Sequence, residues 1–208
     1  MTVDQALLDE VLQSGDAFLR LYRWDPPTLS IGRNQSTEGV VRDAIPWVRR
    51  PTGGQAVWHE HELTYAAAAP VALFGSLRTA YRAIHVRLAA ALRSMGVDVV
   101  LASGRAAVRP SGRPASCFAV PVGGEIVAQG RKLVGSAQVR KRDAFLQHGS
   151  ILLDGSQRLV SNAGGETTLA RVLGRRVTFD EVAAAVIAHW PSGRPAVGPS
   201  IIDSLASP

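Results

Sequence analysis

With 208 residues, 46% of them hydrophobic, the chain is long enough to close one sizeable core, and it contains no apolar run of about eighteen residues that could cross a membrane. The net charge of +6 is carried almost wholly by arginine, since Lys132 and Lys141 are the only lysines. A basic surface attracts nucleic acid, anionic membranes or acidic proteins, but no basic block, zinc-ligand set or aromatic RNA-binding motif is present, and no nucleic-acid or membrane partner is expected.

The amino terminus, Met1 to Gln5, has neither the basic start nor the apolar run of a signal peptide. Ala6 to Leu12 crowds apolar residues at helical spacing, and Ser14-Gly15 stops the pattern. Phe18 to Trp24 alternates apolar and basic residues and predicts a half-buried strand, ended by Pro26-Pro27. Thr28 to Ile31 is a second short strand, and Leu63 to Ala69 is a third, following a glycine turn at Gly53-Gly54.

The clearest helix runs from about Ser76 to Met95. Leu77, Tyr81, Ile84, Leu88, Leu92 and Met95 share one stripe, Arg78, Arg82 and Arg93 fall off it, and Gly96 is placed to cap it. Val97 to Leu101 reads as a strand. The Gly-, Pro- and Arg-rich segment from Ser103 to Ser116 reads as a loop that delivers Cys117. Glu125 to Ala128, Lys132 to Val139 and Phe145 to Leu153 predict a three-stranded meander. Thr178 with Glu181 forms a capping box for a last helix with Phe179, Val182, Val186 and Trp190 on its apolar face, and Pro191 ends it. This order gives an α+β fold, mostly antiparallel sheet with helices on one face, in one domain over residues 1–190, with a Pro/Ser/Gly-rich, frayed tail at 191–208.

Four stretches carry more glycine and polar residues than a core needs. In Arg49-Arg50-Pro51-Thr52-Gly53-Gly54, running on to His59, paired glycines let backbone approach a ligand and paired arginines can grip a phosphate or carboxylate; a plain turn is the simpler reading of the glycines. Cys117 is the only cysteine, so it forms no internal disulfide and must be judged as a thiol in a reducing, cytoplasmic compartment. It works as a nucleophile only if a nearby cation or base favours its thiolate, and Lys132, His59 and His148 are the candidates. The remaining stretches are Gly130 to Gln138, with Lys132 on an otherwise apolar strand, and Gln147 to Leu153. Burying an unpaired ammonium is costly, so Lys132 is either an edge lysine that reaches solvent or a charge with a compensating partner.

Taken in order, Trp24 to Gly32, Arg49 to His59 with Glu62 to Tyr65, Cys117-Phe118, Gly130 to Gln138 and Gln147 to Leu153 resemble the biotin and lipoate protein ligase family. The resemblance covers roughly residues 6–190 and is closest to the carrier-protein-dependent octanoyltransferase branch, which carries Cys-Phe just before the Gly-Arg-Lys strand. It implies the α+β fold shared with biotin ligases and class II synthetase cores, with an acyl tunnel walled by the arginine and glycine loop, the lysine strand and the Gly-Ser-Ala strand. It further implies Cys117 and Lys132 as catalytic residues, and Arg49, Arg50, Thr52, Gly53, Gly54, His59, Gly135, Ser136, Ala137, Gln147, His148 and Gly149 as substrate-binding residues.

The implied reaction passes an octanoyl group from octanoyl-acyl carrier protein through a thioester on Cys117 to a lysine of a lipoyl domain, in a glycine-cleavage H protein or a 2-oxoacid dehydrogenase E2. No cofactor or metal is expected. The family also contains ATP-dependent lipoate ligases and amidotransferases that move octanoate between lipoyl domains, and a carrier-binding module without activity is a reading from another class. Gln55 stands where the family usually has a third glycine, and the sequence begins near the family's usual first helix and ends soon after its last. An edge strand before that helix is therefore expected to be missing or lost to a misassigned start, and a carboxy-terminal accessory domain is expected to be missing, which favours transfer over ligation.

Overall fold

The structure is a computed structural model that describes residues 1–38, 45–103, 118, 123–160 and 165–191, together with the backbone of 202–203. In chain order its elements are α1 (Thr2–Ser14), β1 (Phe18–Tyr22), β2 (Thr28–Ile31), β3 (Trp47–Arg49), β4 (Val57–His59), β5 (Glu62–Pro70), α2 (Leu77–Ser94), β6 (Val100–Leu101), β7 (Ile126–Ala128), β8 (Arg131–Lys141), β9 (Ala144–Leu152), α3 (Leu169–Leu173), α4 (Phe179–Ala188) and β10 (Ile202–Asp203). The main sheet has seven strands in the order β10-β1-β5-β9-β8-β7-β6, and a small sheet has the order β3-β2-β4. Pairing is antiparallel except for β1 with β10 and β2 with β3. Among the described residues no helix is long and apolar enough to cross a membrane.

The expected α+β architecture is present, but the helices cover both faces of the main sheet rather than one. The reason lies in β5, whose alanine run is buried from Glu62 to Ala69. Alternate residues of a strand point to opposite faces. Tyr65, Ala67 and Ala69 join Ile84, Leu88 and Leu92 of α2 and Val182 and Val186 of α4 in the larger core. Ala66 and Ala68 face the other way, onto Leu8 and Val11 of α1. A strand buried on both faces loses its polar alternation and reads as a continuous apolar run. Small side chains on β5 let both helical layers approach it.

Several boundaries shift for physical reasons. α1 extends beyond Ala6 to Leu12 in both directions, because Asp4 also lies on its buried stripe and Gly15, with a φ of 76°, closes the last turn onto the Val11 carbonyl. β1 ends at Tyr22 and is buried rather than half-buried. β6 is limited to Val100–Leu101, and α4 stops at Ala188, short of Trp190. The capping box of α4 forms only by half: Thr178 Oγ1 accepts from the Glu181 amide, while the Glu181 carboxylate is taken by Arg175. In the tail expected to be frayed, the backbone of Ile202–Asp203 pairs with Leu21–Tyr22.

The predicted meander of β7, β8 and β9 is present. Gln129 and Gly130, both with positive φ, make the tight turn from β7 to β8. A register shift follows, so that Ile126 opposes Val134 and Val127 opposes Lys132, with Leu133 as the additional residue. Such a bulge re-aims the side chains beside it, here that of Lys132.

Candidate active site

The two sheets meet around a cavity of about 350 Å³, its mouth included. Its lining includes Ser30, Arg50, Val57 and His59 from the small-sheet side, and Thr64, Gly135, Ser136, Ala137, His148, Gly149 and Ser150 from the main sheet. Seven residues expected from sequence therefore reach it: Arg50, His59, Gly135, Ser136, Ala137, His148 and Gly149.

The arginine and glycine loop is held from below. Arg50 is buried, and its guanidinium donates to the Ser30 carbonyl and hydroxyl, to the Gly53 carbonyl and to the Gln55 carbonyl. Arg49 turns outward and donates to the carbonyls of Gly32, Arg33 and Gln35. Both arginines thus shape backbone. Gly54 has a φ of 92°, which favours glycine there, and a side chain on Gly32 would collide with the Gly54 carbonyl at 2.0 Å, so Gly32 is fixed by the close approach of the loop.

Thr52, though not on the cavity wall, is tied to it through His148. The His148 Nε2 lies 2.7 Å from the Thr52 hydroxyl, and its Nδ1 lies 3.2 Å from Asp4 Oδ2 of α1. Burial holds the His148 imidazole below its ordinary value and keeps it neutral, so Nδ1–H donates to Asp4 and Nε2 accepts from Thr52. Burial would raise the Asp4 carboxyl, but the hydrogen bond from His148 and the charge of Arg20, 2.7 Å away, outweigh it and keep it below its ordinary range. Tyr22 completes the cluster by donating to Asp4 Oδ2 at 2.9 Å.

His59 sits in a second cluster of the same kind. Its Nδ1 is 2.6 Å from Glu62 Oε1, its Nε2 is 2.7 Å from Ser30 Oγ, and its ring stacks on Trp24 at 4.3 Å. Glu62 Oε1 also accepts from the hydroxyls of Thr64 and Ser150. A third cluster lies behind the Gly-Ser-Ala strand. Ser136 Oγ is 2.7 Å from the Tyr65 hydroxyl and 2.8 Å from His85 Nε2, and Gln147 donates to Tyr65 from its side-chain amide at 2.9 Å. Burial pushes the Tyr65 phenol up and the His85 imidazole down to about 4.

Lys132 lies beside the cavity and does not line it. Only 1% exposed, it donates from Nζ to Glu125 Oε1 at 2.7 Å, and Nζ lies 5.4 Å from the centre of the Phe118 ring. The compensating partner that a buried lysine requires is thus a carboxylate, and the alternative of an edge lysine reaching solvent is excluded. Phe118 is buried with Val57 and Leu152 where the two sheets join, and its ring fills the space a side chain on Gly135 would need. Cys117, the expected nucleophile, lies outside the described residues.

Ser30, Glu62, Thr64, Ser150, Tyr65, His85, Glu125 and Asp4 join the site without being singled out as site residues by the sequence. Two signals were available. Glu125 opens the strand that turns back onto Lys132, and Glu62 stands three residues after His59 at the start of an apolar strand. Thr64 bonds to Glu62, two residues before it, and the others gain their partners from distant parts of the chain.

A mixed sheet helical on both faces, with an arginine and glycine loop and a Gly-Ser-Ala strand walling one cavity, defines the lipoate ligase class of α+β catalytic domain. The fold is shared with lipoate-protein ligase A bound with ATP (TM-score 0.70, 23% identity, covering 88% of this chain and 76% of that one). It is also shared with a bipartite lipoate protein ligase of Thermoplasma acidophilum (TM-score 0.62, 20% identity, covering 90% and 77%). Residues 1–190 match the lipoyl protein ligase A/B catalytic domain, and the chain belongs to that family. In sequence it is similar to octanoyltransferase LipM of Moorella thermoacetica, 43% identical over 164 residues, covering 74% of this chain and 60% of the relative. It is 38% identical over 199 residues to octanoyltransferase LipM of Symbiobacterium thermophilum, covering 83% of this chain and 73% of the relative. The chain spans 60% of the length of the Moorella relative and 54% of that of Kyrpidia tusciae, which is 45% identical over 150 residues.

Proposed function

We propose that this chain is an octanoyltransferase that takes an octanoyl group from octanoyl-acyl carrier protein, holds it as a thioester on Cys117 and passes it to a lysine of a lipoyl domain. Residues 1–190 act as one catalytic domain in the cytoplasm, where a lone thiol stays reduced. One observation carries the reading: the only cysteine immediately precedes Phe118, whose ring is packed against Gly135 of the Gly-Ser-Ala wall and lies beside the buried Lys132. The relatives named octanoyltransferase support it from sequence. The bipartite Thermoplasma ligase belongs to a lipoylation system with its own E2 lipoyl domain, the acceptor class adopted here.

In this scheme the acyl tail enters the cavity between the Arg50 loop and the Gly135 to Ala137 strand. Each buried methylene contributes about 0.8 kcal/mol, so about six of them give on the order of 5 kcal/mol of preference for a medium chain. Cys117 attacks the donor thioester carbonyl as thiolate, with Lys132 favouring the thiolate and orienting the carbonyl. The acceptor lysine then attacks, the carbon–sulfur bond breaks, and an amide is left on the lipoyl domain. The arginine-rich surface suits docking of an acidic carrier protein. No metal or other cofactor takes part.

The test is incubation with octanoyl-carrier protein in the absence of ATP, followed by intact mass spectrometry. A covalent octanoyl adduct that hydroxylamine removes and that Cys117→Ala abolishes is expected. No adduct, with modification of a lipoyl domain by lipoate and ATP instead, would replace this reading with ligation.

A further inference from the structure

Ser30, His59 and Glu62 come from three different strands and form a chain of hydroxyl, imidazole and carboxylate on the cavity wall. The links are Ser30 Oγ to His59 Nε2 at 2.7 Å and His59 Nδ1 to Glu62 Oε1 at 2.6 Å. For a neutral imidazole, chemistry fixes the direction of both. An ionised carboxylate only accepts, so Nδ1 carries the proton given to Glu62, and Nε2 is left with its lone pair facing Ser30. Arg50 Nη1 donates to Ser30 Oγ from 3.1 Å, which occupies a lone pair of that oxygen and leaves the serine proton for His59. Stacking on Trp24 locks the ring plane. Glu62 Oε2 has no hydrogen-bond partner among the described residues, and the contact with His59 is made through Oε1.

A structural cluster needs its hydrogen bonds but not this order. Here the hydroxyl and the imidazole both line the cavity, while the carboxylate stands behind them. That is the order in which a general base works, with its orienting acid remote from the substrate.

We propose that Ser30, His59 and Glu62 form the proton relay of acyl transfer, taking the proton that an amine acceptor must release. The proposal rests on the acyltransferase reading above and adds groups to it. As the neutral amine nitrogen bonds to the acyl carbonyl carbon, its surplus proton passes to Ser30 Oγ while the serine proton moves to His59 Nε2. When the carbon–sulfur bond breaks, His59 gives its proton up and the departing thiolate takes one, so the relay returns to its starting state. Atoms and charge balance with no further reactant. Ser30 touches the acceptor, His59 holds the proton through it, and Glu62 is a positioning residue.

The experiment compares two acceptors for the same octanoyl thioester donor, a lipoyl domain and hydroxylamine. A lysine amine is strongly basic and keeps its proton tightly after attack, whereas hydroxylamine is weakly basic and sheds it to water. His59→Gln, which preserves hydrogen bonding, should slow transfer to the lipoyl domain about 10²-fold or more, the usual size of a general-base effect, while transfer to hydroxylamine changes by less than about threefold. Glu62→Gln should show the same split with a smaller loss. Equal loss for both acceptors in both variants, or no loss for either, would overturn the relay and leave the acyltransferase reading standing. Wild-type protein that transfers to neither acceptor would overturn both.

Discussion

Lys132 donates to Glu125 at 2.7 Å where neither side chain reaches solvent, the lysine 1% and the glutamate 2% exposed. Two charges taken from water together tolerate each other, but one left behind does not. Glu125→Leu is therefore expected to cost about 3–5 kcal/mol of stability. The double variant Glu125→Leu with Lys132→Met should recover most of that loss while remaining inactive. Urea unfolding midpoints of the three proteins check this.

Kinetics separate Lys132 from Cys117. Lys132→Ala should leave the thiol in place but poorly ionised, lowering acyl-enzyme formation by about 10²-fold or more. Lys132→Arg should not restore it, because a guanidinium neither gives up a proton nor fits the ammonium's geometry beside Glu125. Iodoacetamide alkylation of Cys117 against pH reads the coupling directly; an unchanged profile in Lys132→Ala would refute the role.

Gly149 offers a packing test. An added Cβ would stand 2.4 Å from the Gly135 carbonyl, 2.4 Å from Ser136 Oγ and 2.9 Å from Tyr65 Cε1, so β8 and β9 would have to part at the cavity wall. Gly149→Ala should cost about 1–3 kcal/mol and weaken acyl binding. Gly53→Ala, which meets nothing within 4 Å, should change stability by less than about 0.5 kcal/mol. Thermal melts with and without octanoate compare the two.

Acid should unfold the protein partly through His85. Burial pushes this imidazole from 6.5 to about 4, with the charge of Lys132 adding to the shift. A histidine whose folded value is depressed gives stability that is fully present above its unfolded value and is lost as pH falls toward the folded one. The window here is 6.5 down to about 4, and the loss is on the order of 3 kcal/mol. His85→Gln should flatten the fall of Tm across that window. A curve as steep as the wild type's would remove His85 from the explanation.

The α+β class, the long helix and the long strands β8 and β9 were legible because their patterns run over many residues. The strands β3 and β4, at three residues each, and α3, at five, are too short to show a period. The glycine loop and the Gly-Ser-Ala wall could be found as motifs. The assignment of polar partners could not: Arg49 and Arg50 look alike in sequence, yet Arg49 turns outward onto backbone carbonyls while Arg50 lines the cavity and holds Ser30 and the glycine loop. Likewise Ser30 gains its meaning from an imidazole in another strand, and Asp4 from a histidine near the far end of the fold. Hydrophobic periodicity is local, whereas hydrogen-bond partnership is decided by the tertiary structure.

The place of β5 between β1 and β9 bears on how the chain acquires its cavity. β7, β8 and β9 pair with their neighbours in sequence and can form by closing short turns. The contact of Tyr65 with Gly149 joins residues about eighty positions apart and must wait for a long closure. The cavity floor is made from that late pairing. The protein can therefore hold much of its secondary structure during folding while it is still unable to bind an acyl chain, and ligand binding reports completion of the fold rather than its beginning.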